Sequence, residues 1–192
     1  MRAKFVMAVA ALLPLLAASP AMSADPTPVG LWQALDQETK QPTGWFLISD
    51  HNGVLDGIIA KMFLKPGEDP NVVCDQCKDD RHDHPWLGLE IIRGMVPDFE
   101  QEKFAGGTIL DPRDGKIYKA TMKVTPDGQT LVVRGYIGFE MLGQNQYWMR
   151  LPDSAYSMLD PSVSPYTAAS PKHSSAAHKS QLMPLPENSA HR

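Results

Sequence analysis

Cysteine is nearly missing from this sequence: 192 residues contain two, Cys74 and Cys77. A disulfide-dense scaffold is thereby excluded, and any intramolecular bridge must join these two. Serine is scarce where a nucleophile would matter. Between Asp25 and Leu151 the one serine is Ser49, two residues before His51, with no nucleophile elbow or orienting carboxylate apparent. No His-Glu-x-x-His, phosphate-cradling glycine loop or dinucleotide fingerprint occurs. Positive charge is short as well. Lys and Arg number 18 against 22 Asp and Glu, the formal net charge is −4, and the basic residues form no patch. Nucleic acid is therefore not an expected partner. After the N-terminal stretch no apolar run is long enough to span a membrane, and no segment keeps a helical period over three turns. No enzymatic activity, cofactor or metal is expected.

Both ends of the chain differ from its middle. Residues 1–24 begin MRAKFVMAVAALLPLLAASP, with Arg2 and Lys4 before an apolar run from Phe5 to Ala18 and small residues around Ala21–Ala24. That order predicts a secretory signal peptide, and hence an exported protein, periplasmic or secreted. The run is too short to cross a ~30 Å hydrocarbon core comfortably. Residues 152–192 are rich in Ser, Pro, Ala and His, including His173, His178 and His191, and predict a disordered tail. One domain is expected between them, over residues 25–151.

That middle is divided by turn signals. Asp50–Gly53 contains Asn-Gly, the strongest short hairpin signal, and DPRDG at 111–115 and TPDG at 125–128 continue the pattern. Between turns the residues alternate. Tyr118, Ala120, Met122 and Val124 interleave with Lys119, Thr121 and Lys123, and Leu131, Val133 and Ile137 follow in phase. Ile58, Ala60, Met62 and Leu64 repeat the alternation. Strands are predicted near 29–36, 44–50, 54–64, 87–93, 104–110, 116–124, 129–138 and 145–151. The fold class is all-β, a small antiparallel up-and-down β-barrel of about eight strands.

Gly30 and Trp32 open the first strand, and Arg150 ends the last. The spacing resembles the lipocalin and calycin pattern, in which a Gly-x-Trp packs under a basic residue and closes the base of the barrel. A guanidinium over an indole contributes ~0.5–2 kcal/mol. More widely, Gly-Leu-Trp at 30–32, Cys-Asp-Gln-Cys at 74–77, Pro-Trp-Leu-Gly-Leu at 85–89, GGTILDPRDGKIY at 106–118, RGYIG at 134–138 and Trp-Met-Arg at 148–150 resemble the bacterial family known as domain of unknown function 2147. The resemblance covers most of Val29–Leu151 and neither end. It implies an exported bacterial domain with a lipocalin-like barrel, and no reaction.

The stretch CDQCKDDRHDH, Cys74–His84, admits three readings. Zinc on Cys74, Cys77, His82 and His84 would need an unusual His-x-His spacing. A redox-active pair would need a depressed thiol pKa, yet Asp75, Asp79, Asp80 and Asp83 surround the sulfurs. A structural disulfide suits an exported protein and would tie down the polar connection at 65–85, a segment with little to pack. His82 and His84 lie outside the family pattern, which detaches them from the cysteines. The Cys74–Cys77 disulfide is the preferred reading, with no metal. Glu90 and Glu140, expected within strands, are the carboxylates that would interest a chemist if they faced inward. Trp45, Phe46, Phe63, Trp86, Phe104, Tyr118, Tyr136 and Phe139 read as core. The expected partners are a small apolar or amphipathic ligand held in the barrel or, if the barrel is solid, an envelope protein met by its surface. Ligand-contacting residues stay unassigned, because a filled barrel and a hollow one need the same alternation.

Overall fold

The computed structural model describes residues 26–163. Turn chemistry sets the path of the chain. Asn52 and Gly53 both take positive φ, 59° and 88°, as a two-residue hairpin requires, and the Asp50 carboxylate accepts the Gly53 N–H at 2.6 Å. This turn joins β2 (Pro42–His51) to β3 (Val54–Met62). Every other connection but the short β5–β6 link also reverses direction, so β1 (Gly30–Leu35), β4 (Glu90–Asp98), β5 (Lys103–Ala105), β6 (Thr108–Asp111), β7 (Lys116–Val124), β8 (Thr130–Tyr136) and β9 (Gln144–Arg150) form one antiparallel sheet.

The sheet has no free edge. β3 pairs with β4, and β9 pairs with β1. The short strands β5 and β6, parted at Gly106–Gly107, both lie between β4 and β7 and together make one stave. The barrel therefore has eight positions, as the sequence predicts. The largest shift is in β4, which starts at Glu90 rather than 87 and runs on to Asp98.

Alternation carries one face of each strand inward. Trp32, Ile48, Met95, Ala120, Met122 and Leu131 pack in the lower interior. On β1–β3 the outward face is apolar too. Leu31, Trp45, Leu47, Ile58 and Ala60 form a second core with Ala155 and Val163. Ile58 pairs with the outward Leu47 and belongs with Ala60 to the outer layer, while Ile59 pairs with Phe46 and faces in; the register shift beyond Ile59 returns Met62 to the inner core.

Ala155 and Val163 come from 3₁₀ turns at Asp153–Met158 and Pro161–Val163. The sequence reading ended the packed domain at Leu151. The described residues stay packed to Val163, because the exposed apolar face of β1–β3 needs a cover. The rest of the expected tail and the expected signal peptide lie outside the described residues.

Trp32 and Arg150 are direct cross-strand partners. The guanidinium carbon sits 4.1 Å from the Trp32 ring centroid. Its N–H groups donate to the carbonyls of Gly128 at 2.6 Å, Val29 at 3.1 Å and Thr27 at 2.5 Å, while Trp32 Nε1 donates to the Pro28 carbonyl at 2.7 Å. One cation thus gathers the N-terminal segment, the β7–β8 turn and the last strand over a fully buried indole. Gly30 makes room for it: its φ is 132°, and a Cβ there would lie 2.9 Å from Arg150 Nη1. Burial pulls the guanidinium pKa below its ordinary value, so the carbonyls rather than a carboxylate hold the charge.

Trp32→Ala is expected to cost about 3–5 kcal/mol, from lost burial plus the cavity left behind. Arg150→Ala is expected to cost about 3 kcal/mol by stranding three carbonyl acceptors. Urea unfolding followed by circular dichroism measures both, and wild-type midpoints would remove this closure from the account of stability.

Candidate binding cavity and its rim

Because the strands alternate in direction, the β1–β2, β3–β4, β6–β7 and β8–β9 connections all gather at the end opposite Arg150. The barrel is hollow there. A cavity of about 810 Å³ opens at that end, within the range of small-molecule sites. Phe46, Ile59, Trp86, Ile109, Val133 and Trp148 wall it. Phe46 and Trp148 stack with centroids 4.2 Å apart and planes at 15°. Trp148 Nε1 donates to Gln146 Oε1 at 3.0 Å, so the ring presents an apolar face while its polar edge is satisfied. Charged and amide groups are set at the rim, among them Asp36, Glu38, Asp111 and Asn145.

Trp86 reaches the wall from the β3–β4 connection. The sequence reading gave that connection little to pack, and the structure corrects it. Cys74 and Cys77 are joined by a disulfide and lie within the main core. Val73 bridges Pro85, Trp86 N donates to the Val72 carbonyl at 3.0 Å, and Cys74 N donates to the His84 carbonyl at 2.9 Å. The disulfide knot then seats on the β6–β7 turn. Cys74 Sγ lies 3.6 Å from the Pro112 carbonyl oxygen, and a Cβ on Gly115 would collide with the Gln76 backbone. The DPRDG turn therefore needs glycine for close approach as well as for φ of 67°.

Charge ties the other flank down. Arg81 is buried, donates to both Asp79 oxygens, and reaches the Glu90 carbonyl at 2.9 Å. Arg93 holds Asp80 in a two-pronged pair, both contacts 2.8 Å, and holds Glu90 at 2.5 Å. That fork draws the Asp80 carboxyl down to about 2, and it raises the Arg93 pKa above the ordinary arginine value. Arg113 likewise keeps Asp111 below the usual carboxylate range.

The residues singled out from the sequence lie at separate places in the barrel. Trp32 and Arg150 meet at the closed base, and Cys74 and Cys77 meet beside the mouth. His82 and His84 are exposed, and among the described residues no group of three or more His, Cys, Asp or Glu is arranged to hold a metal. Glu90 opens β4 and pairs with Arg93. Glu140 lies in a 3₁₀ turn rather than a strand and pairs with Lys103 at 2.7 Å. Neither walls the main cavity. Ser49 is buried in β2. Missed by the sequence reading were the cavity walls themselves, Trp86 above all. Its one signal was a position just beyond a Cys-x-x-Cys loop that had to return to the barrel.

A family model for an uncharacterized protein conserved in bacteria (DUF2147) matches residues 30–150. The chain belongs to this family. The match begins at the glycine under Arg150 and ends at Arg150 itself, so the family's extent is the closed barrel. Among solved structures, protein HP1028 from the human pathogen Helicobacter pylori, described as belonging to the lipocalin family, is similar with a TM-score of 0.57 and 16% identity. The similarity covers 69% of this chain and 89% of that one, and it shows the shared barrel fold. No curated protein matches the chain. Among the described residues no helix is long and apolar enough to cross a membrane.

Replacing both cysteines by alanine is expected to cost about 2 kcal/mol, since the closed ring is small. The effect should be local, with faster amide exchange at Cys74, Asp83, His84 and Trp86 and unchanged exchange in β7–β8. Uniformly faster exchange through the barrel would contradict a local staple.

Acid should loosen the same loop. The folded pKa of Asp80, about 2, lies below its ordinary 3.8. Its contribution is therefore complete above the ordinary carboxyl range and is lost as pH falls through about 2. Asp80→Asn is expected to give loop amides, at neutral pH, the loss of protection (relative to intrinsic exchange at each pH) that wild type shows only at the acid end. Protection factors indifferent to both pH and this substitution would exclude the Arg93 fork as an anchor.

Proposed function

We propose that this protein binds an apolar or amphipathic small molecule in the barrel, with no catalytic step. The observation that carries the reading is the cavity of about 810 Å³, closed below, open above, and walled by aromatic and aliphatic side chains. Leaving such walls in contact with water forgoes about 25 cal/mol for each Å² of apolar surface, and an apolar guest recovers it. The polar rim suits a ligand with one polar end. The two carboxylates that might have served as general bases, Glu90 and Glu140, are engaged by Arg93 and Lys103 away from the cavity. The disulfide is in keeping with an oxidising compartment, and we place the protein outside the cytoplasm, in the periplasm or beyond. The hollow interior weighs against a solid barrel acting only through its surface.

Native mass spectrometry of protein purified from its exported compartment, with titration by an anilinonaphthalene dye, tests the reading. Dye should shift the emission of Trp86 and Trp148. Gly135 offers a control, because it walls the cavity and the nearest atoms to a Cβ there are side-chain atoms of Ile109 and Tyr118, at 3.5 Å and beyond. Gly135→Trp is expected to fill the space and weaken dye binding by roughly tenfold or more, given ~1.4 kcal/mol for each factor of ten, with an unchanged melting temperature. A bare native mass together with equal dye binding by wild type and variant would end the proposal.

A further inference from the structure

The β8–β9 connection puts its apolar side chains in water. Ile137, Phe139, Met141 and Leu142 are 69%, 75%, 83% and 73% exposed. Single exposed apolar residues are ordinary, but four within six consecutive positions are not. Nor is this a loose loop. Glu140–Leu142 form a 3₁₀ turn, and Arg134 donates to the Glu140 carbonyl at 2.8 Å, the Met141 carbonyl at 3.0 Å and Asn145 Oδ1 at 2.6 Å. The Glu140 carboxylate takes Lys103 Nζ at 2.7 Å and the Thr121 hydroxyl at 3.2 Å, across the outer wall of the barrel. The backbone is pinned by polar contacts while the apolar side chains are turned out.

Two further features say what such a surface meets. Glu140 is the one ionisable residue in 137–142 and pairs with Lys103, while the Arg134 guanidinium beneath the turn is aimed at backbone carbonyls and Asn145, so the side chains that the turn displays outward carry no charge. Ile137 and Leu142 also line the mouth of the cavity, so the displayed surface runs without a break into the barrel interior. We propose that this loop docks on an uncharged lipid surface, with Phe139 and Met141 entering the apolar layer and the barrel mouth facing it. A braced apolar turn of this kind binds the interface by burying area rather than by charge, so its affinity should be indifferent to salt.

Flotation of the purified protein with phosphatidylcholine vesicles, in low and high salt, tests this. Wild type is expected to float in both. Phe139→Ser with Met141→Ser should lower the vesicle-bound fraction by roughly tenfold or more, since two large side chains leave the lipid. The same variant should keep its melting temperature, because both residues lie outside the cores. Phe99→Ser, at an 86% exposed position in the β4–β5 turn at the closed end, should float like wild type. Gly135→Trp should also float, which separates this surface from ligand binding in the cavity. The proposal is overturned if wild type stays in solution, if it floats only with anionic vesicles and detaches in high salt, or if the loop variant floats as well as wild type. A concentration-dependent dimer that the loop variant abolishes, without lipid binding by wild type, would make the loop an interface for a second copy instead.

Discussion

The pairing of Arg150 with Trp32 is the constraint on which the rest of the structure depends. A barrel must bring its first and last strands together, and here they are the two ends of the matched family region. Three carbonyls from two separate segments converge on one guanidinium, so losing it would strand several acceptors at once. The ring lies fully buried beneath. With the base sealed in this way, the opposite end is free of any duty to close the sheet. Hollowness at the mouth and tightness at the base are two consequences of one arrangement.

Sealing one end does not by itself make an open barrel stable. The cavity removes packing from the upper interior, and that loss has to be met elsewhere. The second core supplies it. Leu31, Trp45, Leu47, Ile58 and Ala60 turn outward and are covered by Ala155 and Val163 from the segment after β9. The disulfide knot adds a cover of its own over the β6–β7 turn, and it brings Trp86 into the cavity wall. Burial is thus moved to the outside of the barrel, and the upper interior stays hollow.

The sequence was most informative where period two meets a turn with strict chemistry. β7 is the clearest instance: Tyr118, Ala120 and Met122 alternate with the solvated Lys119 and Lys123, Thr121 on that outer face being buried under Glu140, and Asp-Gly turns bound the strand. Gly30, Trp32 and Arg150 were legible because their residue types are so specific. Hidden were the features that depend on what lies across a gap. Alternation is the same for a wall facing a void and a wall facing another side chain, so the cavity could not be read. The alternation of Ile58 and Ala60 does not say which face is inside; their outward placement follows from Leu47, the partner of Ile58, packing under the turns after β9. The packed turns at 153–163 were masked by a Ser- and Pro-rich composition, since two buried residues, Ala155 and Val163, carry their contact.

The same logic orders the rim. Its fixed parts are polar: Arg93 with Asp80, Arg113 with Asp111, Arg134 and Lys103 with the β8–β9 turn. Its unfixed parts are apolar, in the walls below and the side chains of 137–142 above. Ion pairs at a solvated surface contribute little net stability, commonly below ~1 kcal/mol each, yet they hold direction well. A rim built from them resists collapse into the cavity without filling it. An apolar rim would have folded inward and closed the mouth, whereas a freely charged one would have kept an apolar guest at a distance. Paired charge along the backbone, with apolar side chains turned away from it, leaves an opening whose edge is polar and whose walls are apolar.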